Sequence, residues 1–212
     1  KAIVFDAYGT LFDVNSAAER CKSKLGNKWE SFANFWRTTQ LEYTWLRSLM
    51  KKHKDFWQVT EDSLDKSMKV FNIDNNLKNE LLNLYKILSP YPEVKKVLTN
   101  LKEKKFKLAI LSNGTPKLLG ELVKNNNLNN LFDDLFSIEE VKIYKPDSRV
   151  YDLPIKKYNI KPNEIIFLSA NTWDVSGGGN FGYNSIWVNR NKSHFDNLDY
   201  LPKNEIGNLT QL

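Results

Sequence analysis

One short apolar run, Ala2-Ile3-Val4-Phe5, is followed by a long stretch, residues 15–90, in which apolar residues recur at helical steps and no strand pattern occurs. Strands and helices alternate only from Pro92 onward. An all-helical insertion therefore follows directly on a single strand. Asp6 ends that strand, and Tyr8-Gly9-Thr10 forms a turn after it. Open α/β sheets gather ligands at the carboxyl ends of their strands, where Asp6 falls, and Gly9 permits close backbone approach. Taken alone, the stretch also allows the lesser reading of a carboxylate that merely caps a turn.

Within the insertion, Phe32, Phe35, Trp36, Thr39, Tyr43, Leu46 and Met50 mark one helix stripe, and Leu41, Trp45 and Leu49 a second on another side. A helix apolar on two sides buries both. A symmetric homodimer is therefore expected, with one side facing the domain and the other a partner copy. Thr60-Glu61-Asp62-Ser63 reads as the start of another helix, with Thr60 as its cap. Leu77, Leu81, Leu84, Tyr85 and Leu88 mark a further one, closed by Pro90 and Pro92.

In the second half, strands are expected at Lys107–Leu111, Glu164–Leu168 and Ser185–Val188, with a short one within Phe132–Ile138. The tail after Asn189 carries no pattern. Strands spaced this way by helices indicate a parallel sheet with right-handed crossovers. Asp6, Ser112-Asn113 and the run Ser169 to Asp174 then share one edge, and Lys145 can reach it from the start of a helix. Two carboxylates, a cation, hydroxyls and an amide in one crevice indicate an active site.

Composition narrows the partners. The net charge of +6 comes from lysines dispersed among carboxylates, which reads as solvated helix faces rather than a nucleic-acid surface. The positive field still favours small anionic substrates. No apolar run approaches the length of a membrane span, and the first residues enter a strand, so neither a membrane partner nor a signal peptide is expected. The one cysteine, Cys21, allows no internal disulfide and no metal cluster, and the cytoplasm is the expected compartment.

The chain resembles the haloacid dehalogenase superfamily, and within it the L-2-haloacid dehalogenases. The likeness rests on Asp6-Ala7-Tyr8-Gly9-Thr10-Leu11-Phe12-Asp13, Gln40 to Arg47, Leu111-Ser112-Asn113-Gly114, Tyr144-Lys145-Pro146-Asp147 and Ser169 to Asp174. It implies an α/β fold in which a Rossmann-like parallel-sheet core, residues 1–14 and 91–212, carries a helical cap, residues 15–90. Superfamily phosphatases usually carry an acid two positions after the nucleophile and a metal-binding Asp further on. Tyr8 and Ala170 occupy those positions here. Neither a proton donor for an alkoxide nor a full carboxylate set for Mg²⁺ is then present. Halide needs no proton, so these departures favour carbon–halogen cleavage, with no metal and no cofactor expected.

The resemblance also implies roles. Asp6 would be the nucleophile, with Lys145 as its cation and Thr10 and Ser169 orienting it. Arg37 and Asn113 would assist at the halide, although the periodicity around Arg37 fits a snorkelling surface arginine equally well. Ser112 and the backbone of Ala7 and Tyr8 would hold the substrate carboxylate. Asn171 and Asp174 would place and activate water, and Tyr151 is counted with the catalytic set. Tyr8, Leu41, Phe56 and Trp173 would form an apolar wall. The histidines, His53 and His194, have no match and are expected in solvent. The implied reaction converts short L-2-haloalkanoic acids to D-2-hydroxy acids through an aspartyl ester. A metal-dependent phosphatase of the same fold and a non-catalytic protein that binds through its cap are the competing readings.

Overall fold

The computed structural model describes residues 2–212. Its centre is a six-stranded parallel sheet: β1 (Ala2–Phe5), β2 (Lys107–Ser112), β3 (Asp134–Ser137), β4 (Ile165–Ser169), β5 (Asn184–Val188) and β6 (Asn204–Ile206), in the order β3-β2-β1-β4-β5-β6. β1 lies between β2 and β4, with Val4 opposite both Ala109 and Phe167. All four of its residues are buried, as a strand covered on both faces requires. The chain builds outward from β1 through β2 to β3, then crosses back to place β4 on the other side. The order therefore reverses at β1, and the crevice at such a switch point lies beyond the carboxyl ends of β1 and β4.

The cap follows β1: α1 (Ser16–Arg20), α2 (Lys22–Leu25), α3 (Trp29–Leu49), α4 (Phe56–Phe71) and α5 (Lys78–Tyr85). The core helices are α6 (Val94–Glu103), α7 (Pro116–Asn125), α8 (Ser148–Tyr158) and α9 (Thr172–Phe181). Two crossing segments join cap to core and pair with each other. Asp13 N–H donates to Ser89 O at 2.8 Å, and Tyr91 N–H to Leu11 O at 3.0 Å.

Three expectations about the fold need correction. Thr60 does not open a helix: α4 begins at Phe56, where the Asp55 side chain accepts from Gln58 N–H at 2.8 Å. Thr60 is buried in the α3–α4 contact, donating to Phe56 O at 2.7 Å and accepting from Gln40 Nε2 at 2.7 Å. The two stripes of α3 are not buried along their length. Phe32, Trp36 and Thr39 are, but Leu46 and Met50 are exposed, as is Leu49 at 80%. The helix overruns the body it packs against. Third, the tail is not featureless. It supplies β6, whose Ile206 carbonyl accepts from Asn189 N–H at 2.8 Å, and it extends the sheet edge. No helix among the described residues is long and apolar enough to cross a membrane.

Candidate active site

The backbone carries Asp6 to the sheet's carboxyl edge, its N–H still bonded to Leu168 O at 2.8 Å. Its side chain is held from two directions. Oδ2 accepts from Asn171 Nδ2 at 2.8 Å, Thr10 Oγ1 at 3.1 Å and Ser169 Oγ at 3.4 Å. Oδ1 accepts from Lys145 Nζ at 3.2 Å. The carboxylate is 5% exposed and the lysine 1%, a burial that charged side chains reach only in pairs or networks.

Lys145 Nζ also donates to Asp174 Oδ2 at 2.8 Å, and the Tyr151 hydroxyl donates to Asp174 Oδ1 at 2.7 Å. One ammonium therefore lies between two carboxylates. Burial works against the charge on Lys145, but Asp174 and Asp6 outweigh it and raise its pKa, so it stays an ammonium. Burial pushes Asp174 up to about 6, against the attraction of Lys145 and with added repulsion from Asp6. Burial, then the neighbouring Asp174, raises the Tyr151 phenol well above its ordinary value, so it remains a donor.

Local structure explains the placement. Thr10 Oγ1 accepts from Ala170 N–H at 2.8 Å, tying the turn after β1 to the end of β4. Asn171 Nδ2 also reaches Tyr8 O at 3.2 Å, which fixes its amide over Asp6. Lys145 N–H donates to Asn113 Oδ1 at 3.1 Å, so the end of β2 positions the lysine backbone. Ser112 Oγ accepts from Gly114 N–H at 3.0 Å. A Cβ on Gly114 would lie 2.9 Å from the Tyr8 hydroxyl, so a side chain there would displace the Tyr8 ring or its neighbour Leu119.

The expected wall is assembled in part. Tyr8 packs on Phe56 at 5.1 Å between ring centroids and stacks on Tyr85 at 5.8 Å. Burial, then Tyr85, keeps the Tyr8 phenol well above its ordinary pKa and neutral. Trp173 meets Trp45 edge-on at 5.4 Å, and both line an apolar groove of about 490 Å³ with Lys145 in its wall. Leu41 is half-buried and lies outside the packed apolar core. Arg37 is half-buried, bonded through Nη1 to Gln40 Oε1 at 2.9 Å. It lines a cleft of about 410 Å³ with Gly9, Asn171, Tyr91 and Arg190. Among the described residues, the N–H groups of Ala7 and Tyr8 donate to no protein acceptor, and they stay available beside Asp6.

His194 is exposed, but His53 is not: its Nε2 lies 3.1 Å from a Glu139 carboxylate oxygen, a contact between cap and core. Three further features escaped the sequence reading. Tyr85 completes the stack on Tyr8. Gly177, Gly178 and Gly179 let α9 press against Tyr151, Phe167 and Tyr200. Arg190 donates to Thr10 O at 2.8 Å. Three consecutive glycines in a helix were a visible signal, and Arg190 follows a strand end on the same edge as the other polar groups.

Comparison with known proteins agrees with this geometry. A family model described as haloacid dehalogenase-like hydrolase matches residues 1–182. The chain is 38% identical to (S)-2-haloacid dehalogenase 4A of Burkholderia cepacia, over 100% of this chain and 93% of that one. It is 43% identical to (S)-2-haloacid dehalogenase 1 of Pseudomonas sp. strain CBS-3, over 90% and 85%. The L-2-haloacid dehalogenase of Xanthobacter autotrophicus, solved with chloropropionic acid covalently bound, superposes with a TM-score of 0.91 at 32% identity, covering 99% of this chain and 95% of that one. With a Rossmann-like sheet, a helical cap after the first strand and a buried aspartate–lysine pair at the switch point, the chain belongs to the haloacid dehalogenase-like hydrolases.

Proposed function

We propose that the protein hydrolyses short L-2-haloalkanoic acids to D-2-hydroxy acids through an ester on Asp6. The observation that carries this reading is the asymmetric grip on Asp6, with three donors on Oδ2 and Lys145 alone on Oδ1. A carboxylate fixed through one oxygen, with the other less committed, is arranged to attack as a nucleophile. Asp6 Oδ1 would bond to C2 as the carbon–halogen bond breaks and halide leaves. Water would then attack the ester carbonyl carbon, with Asp174 taking its proton and returning it to the departing alkoxide, and the hydroxy acid would leave with the original Asp6 oxygen. Asp174, at about 6, is largely ionised at neutral pH yet more basic than an ordinary carboxylate, which suits that role.

Arg37 would receive the halide from the cap side with Asn113. The free Ala7 and Tyr8 amides and Ser112 would hold the substrate carboxylate, and Tyr8, Leu41, Phe56 and Trp173 would bound its alkyl part. A phenol whose pKa burial raises well above its ordinary value stands two positions after Asp6 in place of a carboxyl, and it cannot cycle as acid and base near neutral pH, which favours halide over phosphate ester chemistry. The covalent chloropropionate in the Xanthobacter relative supports the ester intermediate. The test is halide release from separate L- and D-2-chloropropionate in the presence of a chelator. Release from the L form alone is expected. Release only after Mg²⁺ is restored, or faster hydrolysis of phosphate esters, overturns the assignment.

A further inference from the structure

Arg190 is 11% exposed in its side chain and joins three parts of the chain. Nη2 donates to Thr10 O at 2.8 Å, in the segment leaving the core for the cap. Nη1 lies 2.7 Å from Glu93 Oε1, in the segment returning from it. The guanidinium carbon lies 3.7 Å from the Tyr91 ring centroid, a stacked cation–π contact on the same returning segment. The two segments already pair through Phe12 and Pro90. Arg190 binds that pair, and itself follows the end of β5.

What this grips matters for chemistry. Thr10 is the residue whose hydroxyl donates to Asp6 Oδ2 and accepts from Ala170 N–H. A shift of the Thr10 backbone would move its hydroxyl relative to both. Burial alone would raise the Glu93 carboxyl, but its own N–H and Arg190 outweigh that and hold it below the usual carboxylate range, so the pair stays ionised. A planar guanidinium donates to a carbonyl and a carboxylate from separate nitrogens while lying flat on a ring; a lysine ammonium sends its donors from a single atom and has no plane to stack. We infer that Arg190 is a positioning residue, clamping the cap hinge so that Thr10 holds the nucleophile Asp6 in line. This rests on the proposed haloacid reaction.

The experiment uses the full chain and L-2-chloropropionate. Wild-type enzyme that releases no chloride refutes the reaction itself, whatever Arg190 does. With active wild type, R190A is expected to lower kcat about tenfold or more while KM changes less than about threefold, because the substrate's own contacts are untouched. Added methylguanidinium, filling the space over Tyr91, is expected to restore at least about threefold of the R190A rate. R190K keeps a cation near Glu93 and is expected to stay slow. If R190A does not fold, the kcat and KM comparison is carried by R190K. An R190A rate within about threefold of wild type overturns the inference, as does a loss confined to thermal stability with kcat intact. Failure of both variants to fold also overturns it, since Arg190 would then be a structural clamp only.

Discussion

The Tyr151 hydroxyl donates to Asp174 Oδ1 over 2.7 Å, on the side of the carboxylate away from Lys145. Asp174 is thus an anion stabilised from both ends inside a fully buried site, and yet burial still lifts it to about 6. The proposed water-activating step needs its ionised form. Activity is therefore expected to be complete above that value and to fall as pH drops through it.

Removing the phenol tests this sign directly. In Y151F the anion loses one donor, so its pKa rises further and the acid limb of the kcat profile moves to higher pH. A hydrogen bond worth about 1 kcal/mol corresponds to a shift of roughly half a unit to one unit. A limb that stays in place, or moves down, excludes Asp174 as the group being titrated.

Gly177 explains how Tyr151 comes so close. A Cβ there would fall 2.5 Å from the Tyr151 hydroxyl and 2.7 Å from Pro146 Cβ. G177A is expected to destabilise the fold by about 1–3 kcal/mol through overpacking and to slow turnover by displacing the phenol. Gly120, inside α7, has open space where a Cβ would go. G120A is expected to stabilise by about 0.5–1 kcal/mol. Urea unfolding of the two variants measures the contrast, and equal effects would show that the close approach at Gly177 is not what fixes that residue.

Arg37 lines the cleft with Gly9 and Asn171, and the proposed role at the halide needs its planar fork. R37K is expected to lower kcat/KM by about tenfold or more, roughly 1.4 kcal/mol of transition-state stabilisation. Steady-state kinetics that leave both R37K and R37A unchanged would place Arg37 outside the site.

The exposed end of α3 supports a proposal on assembly. Leu46, Leu49 and Met50 project beyond the body of the cap, beside the apolar groove of Trp45, Ile143 and Trp173. We propose that two copies bury these surfaces against each other. Light scattering at micromolar concentration is expected to give twice the chain mass, and L49E is expected to return it toward one. A single-chain mass for the unaltered protein refutes the proposal.

Legibility followed the reach of local rules. Asp6, Ser112, Asn113 and Ser169 to Asp174 were readable because each follows an apolar strand, and a parallel sheet sends all such ends to one edge. Thr60 misled because a hydroxyl ahead of acidic residues looks like a cap, whereas burial against Gln40 is a tertiary fact. The same holds for α3, whose apolar stripes say nothing about where its partner helix stops. β6 is three residues long and only its last residue is partly buried, too little for a periodic signal. Arg190 lacked a motif of its own. Its partners Thr10 and Glu93 are remote in sequence, and only the folded hinge brings them together.

The last expectation concerns the bond that Asp6 makes. If Asp6 attacks the substrate carbon, its own oxygen leaves in the product and a solvent oxygen replaces it. Under single turnover in ¹⁸O-labelled water, the label should appear in the peptide from Lys1 to Asp13, and the hydroxy acid should be unlabelled. Asp174 cannot imitate this, because a general base moves protons and keeps its oxygens. Label found in the product, with none at Asp6, would mean that water attacks the substrate and that Asp6 acts as a base. An inactive D6N variant is consistent with either role. The destination of the solvent oxygen separates them, because only an ester whose carbonyl carbon is attacked by water can carry label into the side chain.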